Sequence, residues 1–252
     1  MKEIRIMGLE TIPIVEEGDD IGTLICEAAE REGVGIRDGD IVVISHIIVS
    51  RAEGRVVNLS GVVPSEFAKN VAEATGKDPR LVEVVLRESR SIARMGDGHL
   101  ICETKHGFVC ANAGVDRSNV PGEDRVALLP EDPDASARRI RERIRELTGR
   151  DVAVIISDTH GRPLRRGTIN VAIGISGLEP IWDRRGDVDL FGYTLKVTQV
   201  AVADELASAA ELAMGQADEG IPVVIIRGYP YRPSDEATAR ELIRPREQDL
   251  FL

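Results

Sequence analysis

Apolar residues along this chain follow two different spacings. Short runs rich in β-branched residues, Ile41-Val42-Val43-Ile44, Val152 to Ser157 and Ile221 to Ile226, have the length and composition of buried strands. The alternating segment 3–7 and a stretch at about 168–175 add two more. Elsewhere the apolar positions recur every three to four residues. Ile21, Leu24, Ile25, Ala28 and Ala29 form one face of a helix over about 20–32, capped by Gly18-Asp19-Asp20. Ala137, Ile140, Ile144 and Leu147 do the same from Asp134 to Thr148, with Gly149 as the stop. Pro64-Ser65 opens a short helix closed by Gly76, and Asp78-Pro79 opens another over about 79–90, both expected to lie over a sheet. An Ala-rich helix over about 197–214 ends at Gly215.

HLICET and FVCANAG flank Lys105-His106-Gly107 as a hairpin, with Cys102 and Cys110 facing each other. The strand at 152–157 runs straight into Asp158-Thr159-His160-Gly161, which reads as a loop at a strand end. Neither an internal repeat nor a linker interrupts the pattern. Residues 1–252 are therefore read as a single domain, with a polar tail over 230–252.

Only 3% of the residues are aromatic, so the core must be built from Val, Ile, Leu and Ala, which suits strands covered by helices. The net charge of −11 excludes a dedicated nucleic-acid binder. The N-terminus lacks a signal-length apolar run and no stretch reaches ~20 apolar residues, so a cytoplasmic protein without membrane contact is expected. Three cysteines, Cys26, Cys102 and Cys110, are read as reduced thiols.

Asp116 and Asp158 each follow a predicted strand, where rigid backbone would hold a carboxylate for Mg²⁺ or Mn²⁺. Thr159 and Gln216 could add neutral oxygens. A simple loop-capping role for Asp158 remains the alternative on residue types alone. Between Gly161 and Gly167 stand Arg162, Arg165 and Arg166, whose guanidinium groups match phosphate or carboxylate oxygens, or else form a solvated basic loop. Arg51 is placed in another glycine-containing loop, residues 50–55. His99, Cys102, His106 and Cys110 match no standard zinc spacing and are read as packing residues. With neither a Walker A sequence nor G-x-G-x-x-G, the residues lead to a cation and an anion, not to a named nucleotide.

IVVISHIIVSRAEGR, NAGVDRSN, IISDTHGR followed by RRG and AIGISG, and ADELASAAELAMGQADEGIPVVIIRG together resemble the coenzyme F420-0:L-glutamate ligase family, in order over roughly 41–228. The resemblance implies an α+β fold with mixed β-sheets flanked by helices and an intertwined homodimer. It implies a GTP-dependent enzyme that joins L-glutamate to the lactyl carboxylate of the deazaflavin F420-0 through an acyl phosphate, then adds further γ-linked glutamates. Asp116 and Asp158 would hold one divalent cation, and Thr159 and Gln216 a second, with K⁺ as an additional candidate ion. Asp158, Arg162 and Arg166 would serve catalysis. Nucleotide-binding positions would be Thr11, Ile12, Pro13 and Ile14; His46, Ile47 and Arg51; Asn119; and Met214, Gly215, Gln216, Ala217, Asp218, Glu219, Gly220 and Ile221. This chain has Ser50-Arg51-Ala52-Glu53-Gly54 where the family usually has S-K-A-E-G, and Ile47 where it often has lysine. Two competing readings are a metal-dependent phosphohydrolase and a non-catalytic binder of a phosphorylated cofactor.

Overall fold

All four residues of the Ile41-to-Ile44 run are buried, because the run is the middle strand of a sheet covered on both faces. The computed structural model describes residues 2–249. Its main sheet comprises β1 (Arg5–Gly8), β2 (Ile41–Ser45), β8 (Ala153–Arg162), β9 (Arg165–Ser176) and β12 (Val223–Arg227), in the order β1-β12-β2-β8-β9. Only the β2–β8 pair is parallel; the other three are antiparallel. The sheet is therefore mixed, as expected.

Side chains alternate between its faces. Val42, Ile44, Val154, Ile156, Val223 and Ile225 pack against α1 (Ile21–Arg31) and α5 (Pro133–Thr148). Ile41, Val43, Ala153, Ile155, Val224 and Ile226 pack against α6 (Val202–Met214). Asp20 caps α1 by accepting from Thr23 N, and Gly149 closes α5 in the left-handed conformation. Leu147 departs from the expected buried face of α5 and is 45% exposed, since it sits in the last turn beyond the sheet.

A second core lies under α3 (Glu66–Thr75) and α4 (Pro79–Arg87). These helices cover the three-stranded sheet of β4 (Ser89–Gly96), β5 (His99–Thr104) and β6 (Val109–Ala111), as the sequence predicts. Cys102 pairs directly with Cys110 across β5 and β6. The ribbon of β3 (Val56–Asn58) and β7 (Arg125–Ala127) adjoins them.

The expected helix over about 197–214 is shorter. Residues 199–200 form β11 (Gln199–Val200), paired with β10 (Trp182–Asp183) at the base of an excursion, and α6 begins only at Val202. The tail is also not a free polar segment as far as residue 249. Tyr229, Tyr231, Ala237, Ala239 and Leu242 pack against the α6 side of the sheet, and Arg141 ties Asp235 to α5. The remainder of that tail, 250–252, lies outside the described residues.

Candidate active site

The parallel strands stop unequally. Ser45 pairs with Ser157, β2 then turns directly into the helix α2 (His46–Ala52), and β8 continues for five more residues with only β9 beside it. Asp158-Thr159-His160-Gly161 is thus extended strand rather than loop, and Asp158 is its first residue past the end of β2. Carboxyl ends of parallel strands are where open sheets leave a crevice for ligands.

Asp158 is 9% exposed. Its Oδ1 accepts from Thr159 N at 2.7 Å and lies 3.2 Å from His46 Nε2, while His160 Nε2 is 3.0 Å from Oδ2. Burial alone would raise its pKa, but the charge of His46 and the hydrogen bond from His160 outweigh it and hold the carboxyl well below the ordinary range. The group is an ionised carboxylate at neutral pH, the state a hard cation requires. Cys110 from β6 completes a tight cluster with Asp158 and His160, all three ligand atoms lying within 4.8 Å of one another. Burial, with added repulsion from Asp158 and Cys102, pushes the Cys110 thiol up to about 12. It is therefore a neutral thiol in this arrangement. His160 and Cys110 are partners that sequence reasoning missed; alternation along β8 puts His160 on the face of Asp158, but nothing local signals that β6 packs there.

Thr159 points to the opposite face, toward α6. Its hydroxyl donates to Asn170 Oδ1 at 2.8 Å and accepts from Gln216 Nε2 at 2.9 Å. Gln216 Nε2 also bonds Glu211 Oε1. The fold thus brings together Thr159 and Gln216, 57 residues apart, with the Gln216 amide nitrogen rather than its oxygen toward the hydroxyl. Burial raises the Glu211 pKa, opposed by the Gln216 hydrogen bond and assisted by nearby Glu219.

Leu9 N bonds Val223 O and Ser45 N bonds Pro222 O, so the chain leaving β1 and the start of α2, with His46 and Ile47, approach the residues that follow Ile221. Thr11 is held instead against the end of α1, where its N and Oγ1 donate to Glu32 Oε1 and its carbonyl accepts from Arg31 Nη1. Gly8 is needed for this approach: a Cβ there would lie 2.6 Å from Ile221 Cγ2. Gly215 turns the chain out of α6 at φ 69°, ψ −177°, and Gln216, Ala217, Asp218, Glu219 and Gly220 are exposed. Arg51 lies in the last turn of α2, not in a loop, because α2 continues directly from β2.

Other candidates are carried by different segments. Asp116 is outside the three-residue cluster; its own Oδ1 and Oδ2 accept from Ser118 N and Oγ, and its backbone bridges Ala127. Asn119 is exposed in the same turn at φ 54°. Arg162, Arg165 and Arg166 stand at the β8–β9 hairpin, whose turn is Pro163-Leu164. Arg162 is four residues, or about 13 Å of extended chain, beyond Asp158. Its Nη2 donates to Arg166 O, and its Nε is buried without a partner among the described residues.

The sequence model of the F420-0:gamma-glutamyl ligase family matches residues 10–228. The chain belongs to that family. A coenzyme F420:L-glutamate ligase of Methanothermobacter thermautotrophicus is 54% identical over 250 residues, covering 98% of each chain. One from Methanopyrus kandleri is 53% identical over the full length of both, and one from Methanocaldococcus jannaschii is 48% identical over 99% of this chain and 97% of its own. Like these relatives, this F420-0:gamma-glutamyl ligase family member is a ligase enzyme. Among the described residues no helix is long and apolar enough to cross a membrane.

Proposed function

We propose that this chain joins L-glutamate to the lactyl carboxylate of coenzyme F420-0, using GTP to activate that carboxylate as an acyl phosphate and releasing GDP and phosphate. The observation that carries this reading is the buried, ionised Asp158 at the open end of the β2–β8 pair, flanked by the Thr159–Gln216 pair and by the start of α2, which Ser45 N ties to Pro222 O.

A carboxylate is a poor electrophile because its oxide is a poor leaving group; phosphorylation replaces that with phosphate. Divalent cations, Mg²⁺ or Mn²⁺, would draw charge from the transferring phosphoryl group when bound. Asp158, with Asp116 from the segment between β6 and β7, would hold one, and Thr159 with Gln216 the other. The Asp158 carboxylate and the Thr159 hydroxyl fit hard-cation chemistry, as does Gln216 once its carboxamide presents Oε1, whereas the Cys110 sulfur suits softer metals. His46 and His160 orient the Asp158 carboxylate by their hydrogen bonds. The loop from Thr11 to Ile14, the start of α2 and the Met214-to-Ile221 segment would bind the nucleotide, with Arg51 and Asn119. Arg162 and Arg166 would steady developing negative charge from the hairpin.

We also propose that the chain works as a homodimer. The excursion between β10 and β11 carries Leu190 and Phe191, each 96% exposed, and Val197 at 84%, while Leu164 at the tip of the arginine hairpin is 93% exposed. A second copy is the occupant that would cover both projections and bring Arg162 and Arg166 toward a partner's site.

Incubation of purified protein with F420-0, L-glutamate, GTP and Mn²⁺ or Mg²⁺, followed by mass spectrometry and GDP analysis, tests the activity. A product heavier by glutamyl units with matching GDP is expected. GDP release without glutamylation would favour a phosphohydrolase, and binding without turnover a non-catalytic protein.

A further inference from the structure

The end of α6 is arranged against its own electrostatics. A helix C-terminus carries partial negative charge and is normally finished with a basic residue. The last turn of α6 contains none and instead holds Glu211. Glu211 Oε2 is buried with no hydrogen-bond partner among the described residues, and Glu219 folds back over Gly215 to add a second negative charge. A buried carboxylate oxygen without a donor is costly in a folded protein, and such an atom calls for a missing positive partner.

The neighbouring groups specify which partner. Glu211 Oε1 meets the carboxamide of Gln216, which meets Thr159 Oγ1 at 2.9 Å, which in turn meets Asn170 Oδ1 at 2.8 Å. A half-turn of the Gln216 carboxamide puts Oε1 where Nε2 now sits. Thr159, Gln216 and Glu211 would then offer oxygens only, the donor set a hard divalent cation requires. Two neutral oxygens alone would leave the charge of such an ion unbalanced.

We propose that Glu211 is the anionic ligand of the cation assigned above to Thr159 and Gln216, an assignment that rests on the reading of that pair as a metal site. Glu211 Oε1 is held by Gln216 Nε2 while Oε2 has no partner among the described residues, so the carboxylate would supply the charge that the neutral oxygens of Thr159 and Gln216 lack.

Mn²⁺ titration of the purified chain, with free Mn²⁺ followed by electron paramagnetic resonance and with GDP present and absent, tests this alongside thermal melts. Wild type is expected to hold two classes of ion. Glu211→Gln should keep one class unchanged and weaken the other at least about tenfold. Its metal-free melting temperature should equal or exceed wild type, because the unpaired charge is gone, while the Mn²⁺-induced rise in melting temperature shrinks. Glu211→Gln binding every ion with wild-type affinity overturns the proposal. Gln216→Ala separates it from the underlying reading. Loss of an ion in Gln216→Ala but not in Glu211→Gln overturns the role of Glu211 and leaves the Thr159–Gln216 site standing; no loss in either variant overturns both. Loss in Glu211→Gln alone retains Glu211 as a ligand and removes Gln216.

Discussion

Asp158 concentrates the site's electrostatics in one side chain: burial resists its charge, and the two imidazoles of His46 and His160 restore it. Asp158→Asn preserves shape and one acceptor oxygen while removing the charge. The expected outcome is an unchanged circular-dichroism spectrum, with glutamyl-ligase turnover lowered roughly 100-fold or more. Undiminished turnover would refute the metal role. Arg227 illustrates a charge kept for structure. It donates Nε and Nη2 to the fully buried Asp40, each at 2.8 Å, and Nη2 also to Gly35 O. Arg227→Ala strands that carboxylate and should cost about 3–5 kcal/mol in urea unfolding, more than the double variant with Asp40→Ala. Asp158 and Thr159 were legible because a β-branched run delivers them directly. Cys110, His160 and Glu211 were not, since their importance depends on which distant element packs against them.

At the scale of elements, capping and periodicity located most helices, because Asp20, Ser65, Asp78 and Asp132 each accept a backbone N–H at a helix start. The strand continuing through Asp158 to Arg162 was hidden by its polar sequence: beyond β2 it no longer lies inside the sheet, so nothing demands apolar side chains. The docking of α5 rests on a feature that periodicity also cannot show. A Cβ on Gly174 of β9 would stand 2.5 Å from the Pro133 backbone, and Asp134 Oδ1 accepts from Ile175 N and Ala239 N at the same junction. Because backbone cannot step aside as a side-chain tip can, Gly174→Ala should destabilise the protein by about 1–3 kcal/mol, read from the denaturation midpoint.

For the whole molecule, the mixed sheet and its helices agree with the fold expected from the sequence motifs, while oligomeric state is invisible to periodicity because an exposed apolar arm and a loop share one pattern. Analytical ultracentrifugation should find a dimer for wild type, and Phe191→Asp, placing charge on an apolar tip, should shift it toward monomer without lowering the melting temperature of the isolated chain. The position of β12 between β1 and β2 has a separate consequence, for synthesis on the ribosome. The first strand has no neighbour to pair with until residues 223–227, more than two hundred residues later in the chain, emerge and insert. Until then the loop after β1 and the start of α2 have no common anchor. A nascent chain can build α3, α4 and their small sheet first, but the junction of β1, β12 and β2 can assemble only after residue 227 has emerged, so truncated chains ending before residue 223 should emerge without it.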